Sequence, residues 1–247
     1  MVDKIRAPKS FDLLAQRLRE AILSGEIAEG DSLPPERELV EQTGLTRGSV
    51  REALKQLSAE GLVQTRPGRF GGNTVTLPGK DIMTNSLNQF VRGRRMPLRT
   101  LNETREVLEP ALARLAAVHR TEDDLARIRR LHDDLVAASG DFHQFSRVNV
   151  KWHNAVAAAS GNDVLSAVLE ALSFGVTVST TVDAYDTEDT RQQVIRVHSK
   201  IVEAIEQHDG ERAERHMRQH LGATHARVAG TKSADVPLSS PSAVENV

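Results

Sequence analysis

Leu33-Pro34-Pro35-Glu36-Arg37-Glu38-Leu39-Val40, followed by Gly44-Leu45-Thr46-Arg47-Gly48-Ser49-Val50-Arg51-Glu52-Ala53-Leu54, decides the fold of the first part of the chain. Pro34-Pro35 opens a short helix, because a first-turn proline gives up an N–H that would have no partner there anyway. Leu39 and Val40 form its apolar face, and Gly44 stops it. Leu45 turns inward. Thr46 caps the next helix, which carries Val50, Ala53, Leu54 and Leu57 on one face and ends at Gly61. A short helix, a tight glycine turn and a second helix form the helix-turn-helix pattern. Upstream, Ser10 is placed to cap a helix with Phe11, Leu14, Leu18 and Ile22 at helical spacing, ended by Gly25. Downstream, Leu62 to Arg66 is strand-like, Pro67 to Gly72 is a turn, and Asn73 to Thr76 is the returning strand. Three helices and a hairpin over residues 10–77 predict a winged helix-turn-helix, the hairpin being the wing.

The third helix places Arg47, Arg51 and Lys55 at a spacing of four, on one exposed stripe. Between residues 47 and 69, Arg47, Arg51, Lys55, Arg66 and Arg69 stand against Glu52 and Glu60, a local surplus of three positive charges. A helix N-terminus directs N–H groups at phosphates, and arginine suits bidentate contact with guanine. Arg47 and Arg51 are therefore candidates for reading bases in the major groove, with Arg37 joining from the preceding helix. The glycine-rich tip lets backbone approach the minor groove. From charge alone, a solvated basic face and a plain hairpin turn are the alternatives. A phosphate-binding P-loop is not expected, because no Gly-Lys-Ser/Thr follows the glycines.

Composition frames the rest. The chain has 247 residues, 39% hydrophobic, 27% charged and 3% aromatic, with a formal net charge of -2. That apolar share supports a core, and the length suggests one or two domains. Zero cysteine removes disulfides, thiolate metal sites and cysteine nucleophiles, and suits a reducing cytoplasm. No stretch approaches the roughly 20 apolar residues that span a bilayer. Met1 to Pro8 holds no apolar segment of the secretory kind. A membrane partner is not expected.

All nine histidines lie after residue 118, whereas the Gly/Pro turn signals concentrate before residue 80. Two parts are expected. Residues 78–96 form a linker with a connecting helix over Asn85 to Val91. Residues 97–229 are helical throughout: Leu101, Val107, Leu108, Leu112, Leu115 and Ala116 line one helix; Leu125, Ile128, Leu131 and Leu135 a second; Phe142, Phe145, Val148, Trp152 and Val156 a third. Val164, Leu165, Val168, Leu169 and Leu172 follow a break at Gly161-Asn162. The last two helices run through Val194 to Ile205 and Ala213 to Leu221, parted by Asp209-Gly210. Short turns join antiparallel neighbours, so an all-α antiparallel bundle of about six or seven helices is predicted. Residues 230–247, rich in Ser, Ala, Val and Pro, read as a disordered tail.

His198 lies eleven residues before Asp209 and His220 eleven after it. At about 1.5 Å of rise per residue they sit at one height on an antiparallel pair. Asn149 and His153 share a face of a third helix. Three imidazoles can thus converge, a donor set suited to Zn, Ni, Cu or Fe(II). His216, on the same face as His220, competes with it, and lone histidines are the alternative throughout. His119, His132, His143, His208 and His225 read as solvated.

The quoted motifs, together with Glu60-Gly61-Leu62-Val63, resemble the winged helix of GntR-family transcription regulators. The family pattern has Ser where this chain has Pro35. The resemblance implies that Arg37, Arg47 and Arg51 contact bases or adjacent phosphates and that Gly68 reaches the minor groove. Thr46, Ser49 and Arg66 complete the expected DNA-binding set. Residues 101–221 resemble the ligand-binding FCD domain of the FadR subfamily. The motifs are Glu103-Thr104-Arg105-Glu106-Val107-Leu108-Glu109, Trp152-His153 with Ser160-Gly161-Asn162, Val197-His198, and Ala213, Met217 and His220-Leu221. In metal-binding members three His and an Asp hold a divalent ion. The resemblance implies that His153, His198 and His220 are those histidines, in preference to His216, and that Asn149 occupies the Asp position.

Asn cancels none of an ion's charge, so metal affinity falls and attraction for an anion rises. The expectation is a weak site for a divalent metal, zinc or nickel; direct effector binding by the histidines is the alternative. In family members with acid effectors the Arg matching Arg105 often faces the ligand cavity, where a guanidinium clamps a carboxylate, and the resemblance implies this for Arg105. An ion pair with Glu109, four residues on, is its alternative role. The function expected is a repressor that acts as a homodimer on double-stranded operator DNA in the cytoplasm. Its control is by a small organic acid, a sugar acid or hydroxy acid, held at Arg105, Asn149, His153, His198 and His220. A metal-responsive regulator and a helical-bundle metalloenzyme are the rival readings. Against an enzyme, no general base stands beside the histidines and the winged helix goes unexplained.

Overall fold

The computed structural model describes residues 9–66, 72–173 and 187–229. The wing tip with Gly68 and the tail 230–247 lie outside the described residues. The chain divides into two units between Ile82 and Met83.

In the first unit, α1 (Ser10–Leu23), α2 (Glu36–Thr43) and α3 (Arg47–Ala59) precede β1 (Val63–Arg66) and β2 (Gly72–Val75). Lys9 rather than Ser10 occupies the cap position of α1, and Ser10 is the first helical residue. Gly44 ends α2 at φ 69, a left-handed turn that an L side chain resists. The strands pair antiparallel, Val63 opposite Val75 and Arg66 opposite Gly72. A third segment joins them: Leu33 N–H donates to the Asn73 carbonyl at 2.8 Å, and Val75 N–H to that of Asp31 at 2.8 Å. The chain before α2 is thereby tied to the hairpin. Leu14, Leu18, Ile22, Leu33, Leu39, Val50, Leu54, Leu57, Val63 and Val75 make one core. Leu45 packs against it, as its place in the turn predicts.

The helix α4 (Lys80–Gly93) starts five residues before the Asn85 expected for it and spans the division. In the second unit α5 (Leu98–His119), α6 (Glu122–Ala137), α7 (Phe142–Ala158), α8 (Asp163–Ala171), α9 (Glu188–Glu206) and α10 (Gly210–Ala229) follow. Their starts are written in side chains. Thr121 and Asp124 form a capping box on α6. Asp141, Asn162 and Thr187 accept backbone N–H bonds at the starts of α7, α8 and α9. The helix α10 packs on α5 and α9. Its run is antiparallel to α9, since Arg227 meets Gln193 while His220 meets His198. No helix among the described residues is long and apolar enough to cross a membrane.

Two expected core residues face solvent, Val107 at 74% and Val164 at 71% exposure. The reason on α5 is physical. Asn102, Arg105 and Glu109 occupy its buried stripe, and Val107, two residues from Arg105, is turned about 200° away.

The bidentate pair between Arg19 on α1 and Glu60 after α3 closes the first unit, with both bonds at 2.7 Å. The Arg19 hydrogen bond holds the Glu60 carboxyl below its ordinary range, outweighing desolvation. The stabilisation is therefore complete above the unfolded carboxylate value of about 4.3 and fades as pH falls through the lower folded value. Both partners are partly exposed, so Glu60→Gln should cost about 1 kcal/mol or less. Urea unfolding across pH 3–7 should show the variant with a shallower acid limb than the parent; identical limbs would remove the pair from the stability account.

Candidate functional site

In the first unit the cap of α3 forms as expected: Ser49 N–H donates to Thr46 Oγ1 at 3.2 Å, and the two hydroxyls lie 3.0 Å apart. That fixes the start of the helix and with it Arg47 and Arg51, both exposed one turn apart. Arg51 Nε reaches Glu36 Oε2 at 2.7 Å, and Arg37 pairs with Glu41 at 3.2 Å. Arg66, at the end of β1, is exposed and donates to Gln64. Arg37, Thr46, Arg47, Ser49, Arg51 and Arg66 thus belong to one small unit. Gly68 falls outside the described residues. The arrangement suits a helix placed in a DNA major groove, arginines at its leading turns.

In the second unit the structure brings His153 on α7, His198 on α9 and His220 on α10 together. One ring nitrogen from each lies within 4.8 Å of the others. His198 Nε2 and His220 Nε2 are 3.2 Å apart, the contact that equal height on antiparallel helices requires. All three rings are buried, as is Asn149 one turn before His153. His216 stays outside the group. His132 and His225 are partly buried rather than solvated, because each meets a neighbouring helix. His132 contacts Ser199 Oγ at 3.0 Å and His225 contacts Glu106 at 2.9 Å.

Glu109 organises the cluster. One oxygen accepts from Arg105 Nε at 2.5 Å; the other meets His153 Nδ1 at 2.5 Å. Burial acts to raise this carboxyl. Arg105 and then His153 outweigh it and hold the group at about 2. An ionised carboxylate only accepts, so Nδ1 of His153 donates to Glu109, and Nε2 is left on the other side of the ring with no partner. Burial first, and neighbouring positive charge second, push His198 and His220 well below the usual imidazole range. Both are neutral at pH 7, the form that binds metals. Trp152 stacks on His198 with centroids 3.8 Å apart and planes 13° apart, which fixes that ring.

Residue spacing offers Glu109 only as the partner of Arg105. Spacing shows neither its second oxygen nor Trp152 as a ring support. The signal for Glu109 was available: it shares the buried face of α5 with Arg105, at i and i+4. His153 Nε2 and Asn149 Oδ1 are buried without a hydrogen-bond partner. Native structures seldom leave such atoms unpaired. These donors fit a divalent cation, and the three histidines are the residues that can hold it.

A family model for the FCD domain matches residues 100–223, half of the chain. A model for bacterial regulatory proteins of the gntR family matches residues 12–70. The chain is 28% identical over 222 residues to the HTH-type transcriptional repressor NanR of Enterobacter sp. (strain 638), covering 88% of this chain and 85% of that one. It is equally 28% identical over 218 residues to the Glc operon transcriptional activator of Escherichia coli K12, at 85% of each chain. Streptococcus agalactiae GntR superposes with a TM-score of 0.62 at 24% identity, over 87% of this chain and 99% of that one, which shows a shared fold. These relatives and both families are transcription regulators rather than enzymes. A helix-turn-helix unit with a cationic reading helix, joined to a helical unit built around buried histidines, is therefore a DNA-binding transcription regulator, and the chain belongs to the GntR family with an FCD domain as its second part.

Proposed function

We propose that the protein is a cytoplasmic repressor whose operator binding is controlled by a small carboxylate, a sugar acid or hydroxy acid, held in the second unit beside a divalent metal. The observation that carries this reading is the set of neutral donors. His153, with its tautomer fixed by Glu109, together with His198, His220 and Asn149, would hold zinc or nickel. The ion supplies a positive charge that these donors do not cancel, and an anion completes it. Arg105 adds a guanidinium whose Nε contact to Glu109 uses one of five N–H donors. One relative is named a repressor and another an activator. Repression is preferred here because effector-relieved repression needs only that the acid bind the DNA-incompetent state better. Two copies on a pseudo-palindrome match operator symmetry to protein symmetry. In the first unit Arg37, Arg47, Arg51 and Arg66 supply the cationic contacts, Thr46 and Ser49 the start of the reading helix, and Gly68 the wing.

The metal reading is tested by Asn149→Asp. Added negative charge should tighten zinc binding, in chelator competition, by about tenfold or more. It should also weaken release from the operator by acids. Dialysed protein that carries no metal, and that shows no thermal shift with zinc or nickel, would remove the ion from the site. Metal titration with labelled operator separates an acid sensor from a regulator whose effector is the ion itself.

Arg105→Lys keeps a charge beside Glu109 but loses the planar fork. Operator affinity should hold, while the acid response falls. An unchanged response would remove Arg105 from effector binding. For the reading helix, Arg47→Ala should cost about 1–3 kcal/mol of specific binding and relax discrimination at one base position. Equal losses on all sequences, measured by competition with mutated operators, would make Arg47 a phosphate contact instead.

A further inference from the structure

Among the described residues of the second unit, Asn102 is a buried side chain with both amide atoms unpaired. It is 3% exposed, and neither its Oδ1 nor its Nδ2 has a hydrogen-bond partner. Among the described residues, buried side-chain atoms without a hydrogen-bond partner gather in a few places. Six of them belong to Asn102, Asn149, Trp152, His153 and His198. Such atoms are scarce in native proteins, and their gathering on three helices marks a place where something outside the chain supplies the bonds.

Position ties Asn102 to this place. On α5 it precedes Arg105 by three residues and Glu109 by seven, so all three share the buried face. Its amide stands about 4.5 Å along the axis from Arg105. Its neighbours Leu98 and Leu101 pack in one cluster with Phe145 and Val148 of α7 and with Val194 of α9. Phe145 lies one turn before Asn149, and Val194 one turn before His198. Asn102 therefore stands on the buried face of α5 one turn before Arg105, on the face that carries Glu109 to the histidines.

We propose that Asn102 is a specificity-determining residue that binds a hydroxyl of the effector. The inference rests on the carboxylate reading above and assigns the residue that would recognise the hydroxyl of such an acid. A side-chain amide offers one acceptor and a two-proton donor. A hydroxyl gives and takes a hydrogen bond through one oxygen, so it serves both halves of the amide. A second carboxylate would satisfy Nδ2 and repel Oδ1; a methylene would satisfy neither. The ligand class is a carboxylic acid with a hydroxyl a few ångströms from its carboxylate, in preference to a fatty acid or a simple dicarboxylate.

The test uses the full chain, loaded with zinc, and matched acids: lactate against propionate, malate against succinate, gluconate against hexanoate. Affinities are read by calorimetry. In the parent protein at least one hydroxy acid should bind about tenfold or more tighter than its deoxy partner. In Asn102→Leu that ratio should collapse toward one, with the deoxy acid retained. Without acid, Asn102→Leu should melt higher than the parent, because two unpaired polar atoms give way to apolar ones. Asn102→Ala gives the same affinity readout should Leu be too bulky. A parent that binds deoxy and hydroxy acids alike overturns the role of Asn102 and leaves the carboxylate reading standing. A ratio that survives both substitutions, or a variant Asn102→Leu that melts lower, also overturns it. If no acid of the panel binds the parent, the carboxylate reading fails, and the assignment of Asn102 falls with it.

Discussion

A single buried carboxylate sets the terms for the second unit. Glu109 is 1% exposed and Arg105 is 2% exposed. Taking each charge out of water costs several kcal/mol even after relaxation. Arg105 on one oxygen and the Nδ1 proton of His153 on the other offset that cost. Removing one partner from such a pair typically costs about 3–5 kcal/mol, since the other charge is left stranded. The arrangement is thus poorly placed to change without loss of the fold. Its stiffness also orients His153: Nδ1 is committed to Glu109, and Nε2 is turned to the opposite edge of the ring.

The charges of the site explain why Asn149 matters more than its size suggests. Arg105 and Glu109 cancel. The histidines His198 and His220 are held neutral by burial, and Asn149 is neutral by chemistry. The side chains alone therefore give an anion little reason to enter. A divalent ion among neutral donors reverses that, because both its charges stay uncompensated in a place shielded from water. The proposed metal and the proposed acid are in this sense one hypothesis: the first makes the second favourable.

Much of this was legible in the sequence, and the limits of that legibility have physical causes. Turn chemistry located the helix-turn-helix, because Gly44 and the Thr46 cap leave the backbone few options. Counting residues about Asp209-Gly210 matched His198 to His220, because helical rise is nearly constant. On α5 periodicity placed Leu101, Leu112 and Ala116 correctly and failed at Val107. It assumes that apolar residues face inward, and here the inward stripe holds Asn102, Arg105 and Glu109, which turned Val107 outward. A spacing of four found the Arg105–Glu109 pair, yet it could not show the second oxygen reaching α7, since contacts between helices depend on packing that no single helix encodes. The same holds for Trp152, which reads as ordinary core and stacks on His198.

The net charge of -2 tells the same story from the DNA side. The arginines proposed to read DNA are not bare. Arg51 leans on Glu36, Arg37 on Glu41, and Lys55 on Glu52. Exposed pairs of this kind are worth about 0–1 kcal/mol, so phosphates or base edges displace them at little cost. Their effect falls unequally on different targets. A non-specific duplex offers only phosphate charge, and each nearby carboxylate subtracts from that attraction. A matched operator adds base contacts that the carboxylates do not touch. Acids seated beside the arginines therefore lower non-specific affinity more than specific affinity. Arg47, which among the described residues makes no ion pair, stands at the first turn of α3, where base contact would contribute most to that difference.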